Sequence, residues 1–373
     1  MSLFLVAATS IHSVKQSRMI IGSVMVTLVL VVIYGFGQIY LHFPVISTTN
    51  SEFSKGLILF LSNDARVNST FAGHYDLAIY LSMTLMFAAS FFFYYKKLFH
   101  KAFITLLGLS SFALLGFTAA RMSFVATLLG LAMFLWIKGK KLLMVGLFVA
   151  ALGLVAAVPE LRHRLVATLT VNVLNGGGPK YTPAPNEITV FTPANQLPPG
   201  MTPEMRQKAI DESTKSASAS GRPVDIAPGE PVNTTELGVY RSFGIRFNVE
   251  WPRALRAFYK NPFLGTGYSS ISIASDNDYL RSLGETGLLG TLTLALIFMI
   301  ILKRMWAYIK STAGGFSKPF IFGSYCAVIV VLITATFIDA LEASKVAEVF
   351  WLILGVSWAM MSAYDVQPKE DEK

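Results

Sequence analysis

The residues best suited to chemistry gather in one stretch, 261–290, NPFLGTGYSSISIASDNDYLRSLGETGLLG. Its back half carries Asp276, Asn277, Asp278, Tyr279, Arg281 and Glu285 immediately before an apolar run. Carboxylates in such a place take or orient a hydroxyl proton, and arginine offers a planar fork to an anion. Polar groups at the mouth of an apolar span are costly unless they are used. The front half is turn chemistry. Pro262 fixes its own φ and disfavours helix at Asn261, while Gly265 and Gly267 permit positive φ.

Three more groups share this character. Arg121 lies in GFTAARMSF, where it either snorkels to lipid headgroups or grips phosphate bidentately. Arg246 either makes a loop salt bridge or ligates phosphate. Arg66 precedes STFAGHYD, in which His74 and Asp76 read as a base with its orienter, as metal ligands, or as an ordinary helix start with Asp76 near the N-terminus. Asp276 and Asp278 have the spacing of a DxD metal site, but that site needs a βαβ nucleotide domain, and none is present. Asp339, Glu342, Lys345 and Glu348 are explained by i,i+3 ion pairing at helix ends.

Composition states what must hold these groups. The chain has 373 residues, 53% hydrophobic and 14% charged, with a mean hydropathy of +0.55. Soluble domains carry about a quarter charged residues. An integral membrane protein is expected, an all-α polytopic bundle. Eight apolar blocks approach the length of about 20 helical residues that a bilayer requires: 19–41, 77–95, 101–119, 122–137, 141–158, 286–303, 319–338 and 345–364. The block 122–137 pairs with 101–119 through a tight turn at 119–121. The opening 1–12 is too short to span, lacks the features of a signal peptide, and reads like the end of a helix whose beginning is missing.

Short-loop Lys and Arg set the orientation. Lys15 and Arg18; Lys96, Lys97 and Lys101; Lys138, Lys140 and Lys141; and Lys303, Arg304, Lys310 and Lys318 alternate so as to share one side, the cytoplasm. Arg66, His74, Arg121, Arg246 and Asp276–Glu285 then fall outside. The chain divides into N-terminal spans (1–158), an extracytoplasmic loop (159–284) and C-terminal spans with a tail (285–373). Within the loop, 175–236 is a Pro/Gly/Ser-rich insertion with a short helix expected at 203–212. The stretch 237–284 holds WPRALRAFY, an amphipathic helix at the membrane surface that turns Leu255, Phe258 and Tyr259 to its apolar face. The net charge of +9 is spread over loops, which excludes a nucleic-acid surface. Cys326 alone permits no intrachain disulfide or thiolate metal site. No GxSxG, HExxH, phosphate-binding lysine loop or transporter-type repeat is found.

These motifs together resemble the O-antigen ligase and O-antigen polymerase superfamily. YKNPFLGTGY followed by DNDYLRSLGETGLLG is similar to its Pro–hydrophobic–Leu–Gly–x–Gly turn, His-Asn or Asp-Asn, Tyr-Leu and Glu-Thr-Gly pattern. LGFTAARMSFVATLLGL resembles its Ser-Arg hairpin, with Ala120 where serine is common. YRSFGIRFNVEWPRALRAFYKNPFLGTG resembles its loop arginine, and ARVNSTFAGHYDLAIYL the segment before a span in polymerase-type members. The resemblance implies a metal-independent glycosyltransferase, without cofactor, in the bacterial plasma membrane with its site on the outer face. Its donor is a glycan on undecaprenyl pyrophosphate and its acceptor a sugar hydroxyl. Its partners are membrane lipids and chain-length or export proteins. Arg121 and Arg246 would stabilise the leaving pyrophosphate. Asp276, where ligases carry histidine, or His74 would be the base. Arg66, Asp76, Asn277, Tyr279 and Glu285 would bind substrate. Asp276, as an aspartate of pKa about 4, is expected to be ionised without tuning, and the Asp-Asn form points to a polymerase. A ligase, or a transporter of the same lipid-linked glycans, is the alternative.

Overall fold

A computed structural model describes residues 2–46, 58–61, 65–170, 234–271, 275–311, 314–342 and 344–366. The expected helix at 203–212 lies outside them. The described elements are all helical; an isolated bridge joins Pro44 and Phe60. The helices are α1 (Ser2–Ser10), α2 (Val14–Tyr40), α3 (His74–Tyr94), α4 (Leu98–Phe117), α5 (Arg121–Ile137), α6 (Lys141–Ala157), α7 (Pro159–Thr170), α8 (Thr234–Ile245), a π-helical turn Arg246–Glu250, α9 (Trp251–Lys260), α10 (Asp278–Lys310), α11 (Ser317–Thr334) and α12 (Ser344–Val366).

Each of the eight apolar blocks falls on a helix. Six helices among the described residues are long and apolar enough to cross a membrane, consistent with an integral membrane protein. The count reaches seven if α6 and α7 are taken as one broken span. The break follows from Pro159, which pushes Val158 out of the helical region to φ −109°, ψ 97°. At 17 residues, α5 is shorter than each of these six.

Contacts divide the chain into two units, Met1–Arg162 with Arg246–Lys373, and His163–Ile245. In the second, Ala167 and Val239 are buried, with Tyr240 and Phe243 packed against them. In the first, α3 and α11 form the centre. Both are apolar on every side, as a helix surrounded by others must be. The helices α2, α4 and α6 expose large apolar side chains such as Leu30, Leu106 and Val149. In lipid, helices associate through close packing and hydrogen bonds rather than apolar burial. Gly323 accordingly lies against Phe87, and Gly130 against Val330. Thr127 Oγ1 donates to Ser82 Oγ at 2.7 Å, and Ser357 Oγ to Ser324 Oγ at 2.9 Å.

The turn at 119–121 is tight, with Ala119 at φ +50°. Beyond a ring contact of Phe112 with Phe124, however, α5 does not pair chiefly with α4. It packs on α3, α11 and α6. The contacts Phe134–Phe322 and Gly130–Val330 run α5 antiparallel to α11, so Arg121 belongs to the end of the bundle where α11 finishes. Arg18 over Phe316 and Lys138 over Phe322 mark the opposite, lysine-rich end.

At the Arg121 end, α10 is broken. Gly287 has φ +64° and ψ −166°, so Asp278–Thr286 is a short helix set on a longer one. The break exposes backbone donors, and the 262–267 turn meets them. Leu288 N donates to Pro262 O at 2.8 Å and Leu289 N to Phe263 O at 3.1 Å. Thr266 N and Gly267 N donate back to Gly284 O and Glu285 O, both at 3.0 Å. A Cβ on Gly265 would stand 2.3 Å from Glu285 O, and one on Gly287 2.5 Å from Phe263 O. The two glycines let two backbones touch.

Gly287→Ala meets both a positive φ and a backbone clash. A strained φ alone costs about 1–3 kcal/mol. The variant is expected to lose monodispersity in detergent or to melt several degrees lower. An unchanged melting temperature would show that the crossing bears no load.

Candidate active site

The clasp between turn and broken helix leads directly to the polar residues. Asn277 is the N-cap of α10, its Oδ1 accepting from Leu280 N at 2.9 Å. Asparagine is favoured there because its short side chain satisfies a backbone donor that the helix leaves open. The residue before it, Asp276, sits in the left-handed region at φ +47°, which aspartate tolerates. This conformation sends its carboxylate toward the π-helical turn. Arg246 Nη2 and Asp276 Oδ2 are 2.6 Å apart, with the arginine buried and the aspartate partly exposed.

A second carboxylate holds the segment in place. Asp339, in the 335–342 connection between α11 and α12, accepts from Ser275 N at 3.0 Å, Ser275 Oγ at 2.9 Å and Asn277 N at 3.0 Å. The exchange is mutual: Asp278 Oδ2 accepts from Ala340 N at 2.8 Å and Leu341 N at 3.0 Å, and Asp278 N donates to Ala335 O. Arg281 then serves three carboxylates, Glu342 at 2.5 Å, Glu285 at 3.4 Å and Asp339 at 3.6 Å. These contacts correct the expectation of i,i+3 pairing among Asp339, Glu342, Lys345 and Glu348. Lys345 Nζ instead donates to Thr70 O at 2.7 Å and lies over the Phe71 ring. These partners are set by chain crossings more than 55 residues apart, which outcompete neighbours along one helix.

The amphipathic helix α9 forms as expected, and a further face of it packs against the protein. Ala254 is its buried residue, while Tyr259 is largely exposed. Gly284 is the reason. A Cβ there would meet Ala254 O at 2.7 Å and Ala257 Cβ at 3.3 Å. So close an approach admits only small side chains. Through this seam and the Trp251–Phe337 ring contact, the π-helical turn is fixed beside Asp276.

The remaining expected residues are placed as follows. Arg121 is the first residue of α5 and is buried. Arg66 Nη1 lies 2.7 Å from His74 Nε2. A guanidinium has only donors, so Nε2 is the acceptor in this contact. Asp76 is in the first turn of α3, the helix-start position, accepting from Gly73 N. Tyr279 OH donates to Leu332 O at 2.6 Å. Glu285 is buried and accepts from Ile271 N at 3.3 Å. Asn277 and Glu285 are thus engaged inside the fold, while Tyr279 is exposed and tethered by its hydroxyl. The 335–342 connection joins the Asp276 group to the Lys345–Thr70 contact. Val67 N donates to Phe117 O beside the Arg121 turn. All the arginine groups therefore share one end of the bundle.

Burial raises the Asp276 carboxyl above the usual aspartate range; Arg246 opposes this and Asp339 adds to it. The expectation of an untuned carboxylate is corrected accordingly. Glu250, which sequence reasoning passed over, is pushed up to about 7, first by burial and then by Asp276, with Arg246 opposing. No short motif marks it in RFNVEWPR; only the π-helical turn brings it level with Arg246. Among the described residues no three His, Cys, Asp or Glu form a group able to hold a metal ion. A cavity of about 960 Å³ lies alongside, lined by Arg281, Glu285 and Glu342 above and by Leu289, Ile297 and Trp351 toward the apolar helices. No protein-family model and no curated protein matches the chain.

Arg281→Met leaves Glu285, Asp339 and Glu342 facing one another. Breaking a buried pair this way costs about 3–5 kcal/mol. The Glu342 carboxyl is raised by burial and held back by Arg281, so without the arginine it rises further. The penalty belongs to the charged forms. The melting deficit of the variant is expected to be large at pH 8 and to shrink toward pH 5; a deficit independent of pH would contradict this network.

Proposed function

We propose that this protein is a membrane glycosyltransferase of the O-antigen polymerase kind, joining lipid-pyrophosphate-linked oligosaccharides into a polysaccharide. The observation that carries the reading is the ion pair of buried Arg246 with the partly exposed Asp276, at the end of the bundle that also holds Arg121 and lies opposite the lysines. A leaving pyrophosphate develops negative charge, and preorganised arginines in a water-poor site stabilise it more strongly than they would in water. The carboxylate keeps the Arg246 fork oriented before substrate arrives. By the positive-inside rule the lysine-rich end is cytoplasmic, and the arginine end faces outward in the plasma membrane.

A transporter of the same lipid is less well supported. It would need a cationic path across the bilayer. The stretches 77–95, 102–120, 122–137, 286–302, 319–338 and 349–364 contain no charged residue. The arginines therefore serve one face. A ligase shares the donor chemistry and differs in its acceptor.

Arg121→Ala and Arg246→Ala are each expected to reduce chain elongation by about 100-fold or more, the scale of losing one transition-state donor. Elongation is read as a polysaccharide ladder in membranes that contain the folded, monodisperse variant. A near-normal ladder with either variant would remove the leaving-group role.

A further inference from the structure

Three groups stand close enough to the arginines to take a proton, and two of them are already occupied. His74 Nε2 accepts from Arg66 at 2.7 Å, and Asp276 Oδ2 is paired with Arg246 at 2.6 Å. A lone pair held by a guanidinium is a poor base. Glu250 differs. The residue is only 8% exposed, and its Oε2 is buried with no hydrogen-bond partner in the described structure. An orphaned carboxylate oxygen in the interior is expensive and calls for a function. It closes the π-helical turn that begins at Arg246, and such turns are frequent at functional sites. The Nε1 of the next residue, Trp251, is also buried without a partner. A buried acceptor and a buried donor on consecutive residues are therefore left without partners, the two kinds of group that a sugar with its hydroxyls can satisfy.

We infer that Glu250 is the general base of the transfer proposed above, taking the proton of the acceptor sugar hydroxyl, and that Trp251 Nε1 donates to the same sugar. The inference rests on that reading of the reaction. As the hydroxyl oxygen bonds to the anomeric carbon, its proton moves to Glu250 Oε2. The bond from the anomeric carbon to the pyrophosphate oxygen breaks, and its electron pair leaves on the lipid pyrophosphate beside the arginines. The proton later passes to water, restoring the carboxylate. Asp276 then acts as a positioning residue, holding the Arg246 fork.

The groups acting on Glu250 are Asp276 and Asp339, which raise its carboxyl, and Arg246, which lowers it; burial is the largest cause, and the result is about 7. A base titrating near the working pH is well matched to proton transfer. Only the carboxylate form is active, so transfer rises with pH through about 7 and then levels. Stability runs the other way. Charged Glu250 is penalised when buried, so the fold loses stability as pH rises from the ordinary value of 4.5 toward about 7.

The test uses the full chain in lipid nanodiscs with lipid-linked oligosaccharide as donor and acceptor. Glu250→Gln is expected to slow transfer at least 100-fold, to bind the donor lipid as wild type does, and to lose the rise of rate with pH. It should also melt higher than wild type at pH 8, with the difference vanishing below pH 4.5. Glu250→Asp should recover part of the rate. Asp276→Asn should slow transfer but keep the pH-dependent rise. If wild type transfers and Glu250→Gln stays within threefold of it, or keeps its pH rise, the assignment of Glu250 is overturned while the reaction stands. A wild-type protein that binds donor and transfers nothing overturns both.

Discussion

Two backbones cross at Gly265 and Gly287 with no room for a side chain between them. The polar end of the bundle depends on that crossing. It breaks α10 into a short helix on a longer one and turns the freed backbone groups onto the 262–267 turn. The turn is thereby tied to the helix it precedes. Asp276 takes its left-handed conformation two residues before that helix begins. A little further along, Gly284 admits the backbone of α9, which fixes the π-helical turn and Arg246 against Asp276. A sequence of close approaches, each requiring a small residue, thus sets the distance between two charges.

The charges then hold the loops to one another. Asp339 gathers the backbone of Ser275 and Asn277, Asp278 returns the contact to Ala340 and Leu341, and Arg281 neutralises part of a carboxylate excess. Such buried networks are costly when half-satisfied and specifying when complete. Here the completed part positions the segment, and the incomplete part is local. The unpartnered oxygen of Glu250 and the indole nitrogen of Trp251 sit beside the Arg246–Asp276 pair, where a substrate would supply what the fold leaves out.

Sequence patterning reached the helices because lipid imposes long apolar runs, and each of the eight blocks falls on one. It could not decide which of them meet a full span by length, since Pro159 breaks one and α5 is short. The turn glycines were legible as turn chemistry, yet their partner strand of backbone, about twenty residues away, was not. The amphipathic pattern of α9 is legible through Leu255 and Phe258, whereas the contact of Ala254 and Ala257 with Gly284 depends on a close approach that no local pattern encodes. Asp339 looked like a helix-end charge because its ligands lie more than 60 residues back. Arg246 and Asp276 were both visible as candidates, but their pairing and its effect on Asp276 depend on burial, which no local pattern encodes. Glu250 carries no motif and becomes visible only as a buried oxygen without a donor.

Arg66, Arg121 and Arg246 gathered at one end, apolar stretches without a charge between the two ends, and a cavity lined by Asp278, Arg281, Glu285 and Glu342 at that end suit transfer at a single face. The most direct measurement is to incubate the purified full chain with one lipid-linked oligosaccharide as both donor and acceptor, and to follow products and released lipid pyrophosphate together. The account predicts a ladder of lengthening glycans, with one lipid pyrophosphate released for each new linkage. Intact donor with no release, under conditions where the folded protein binds it, would contradict the account.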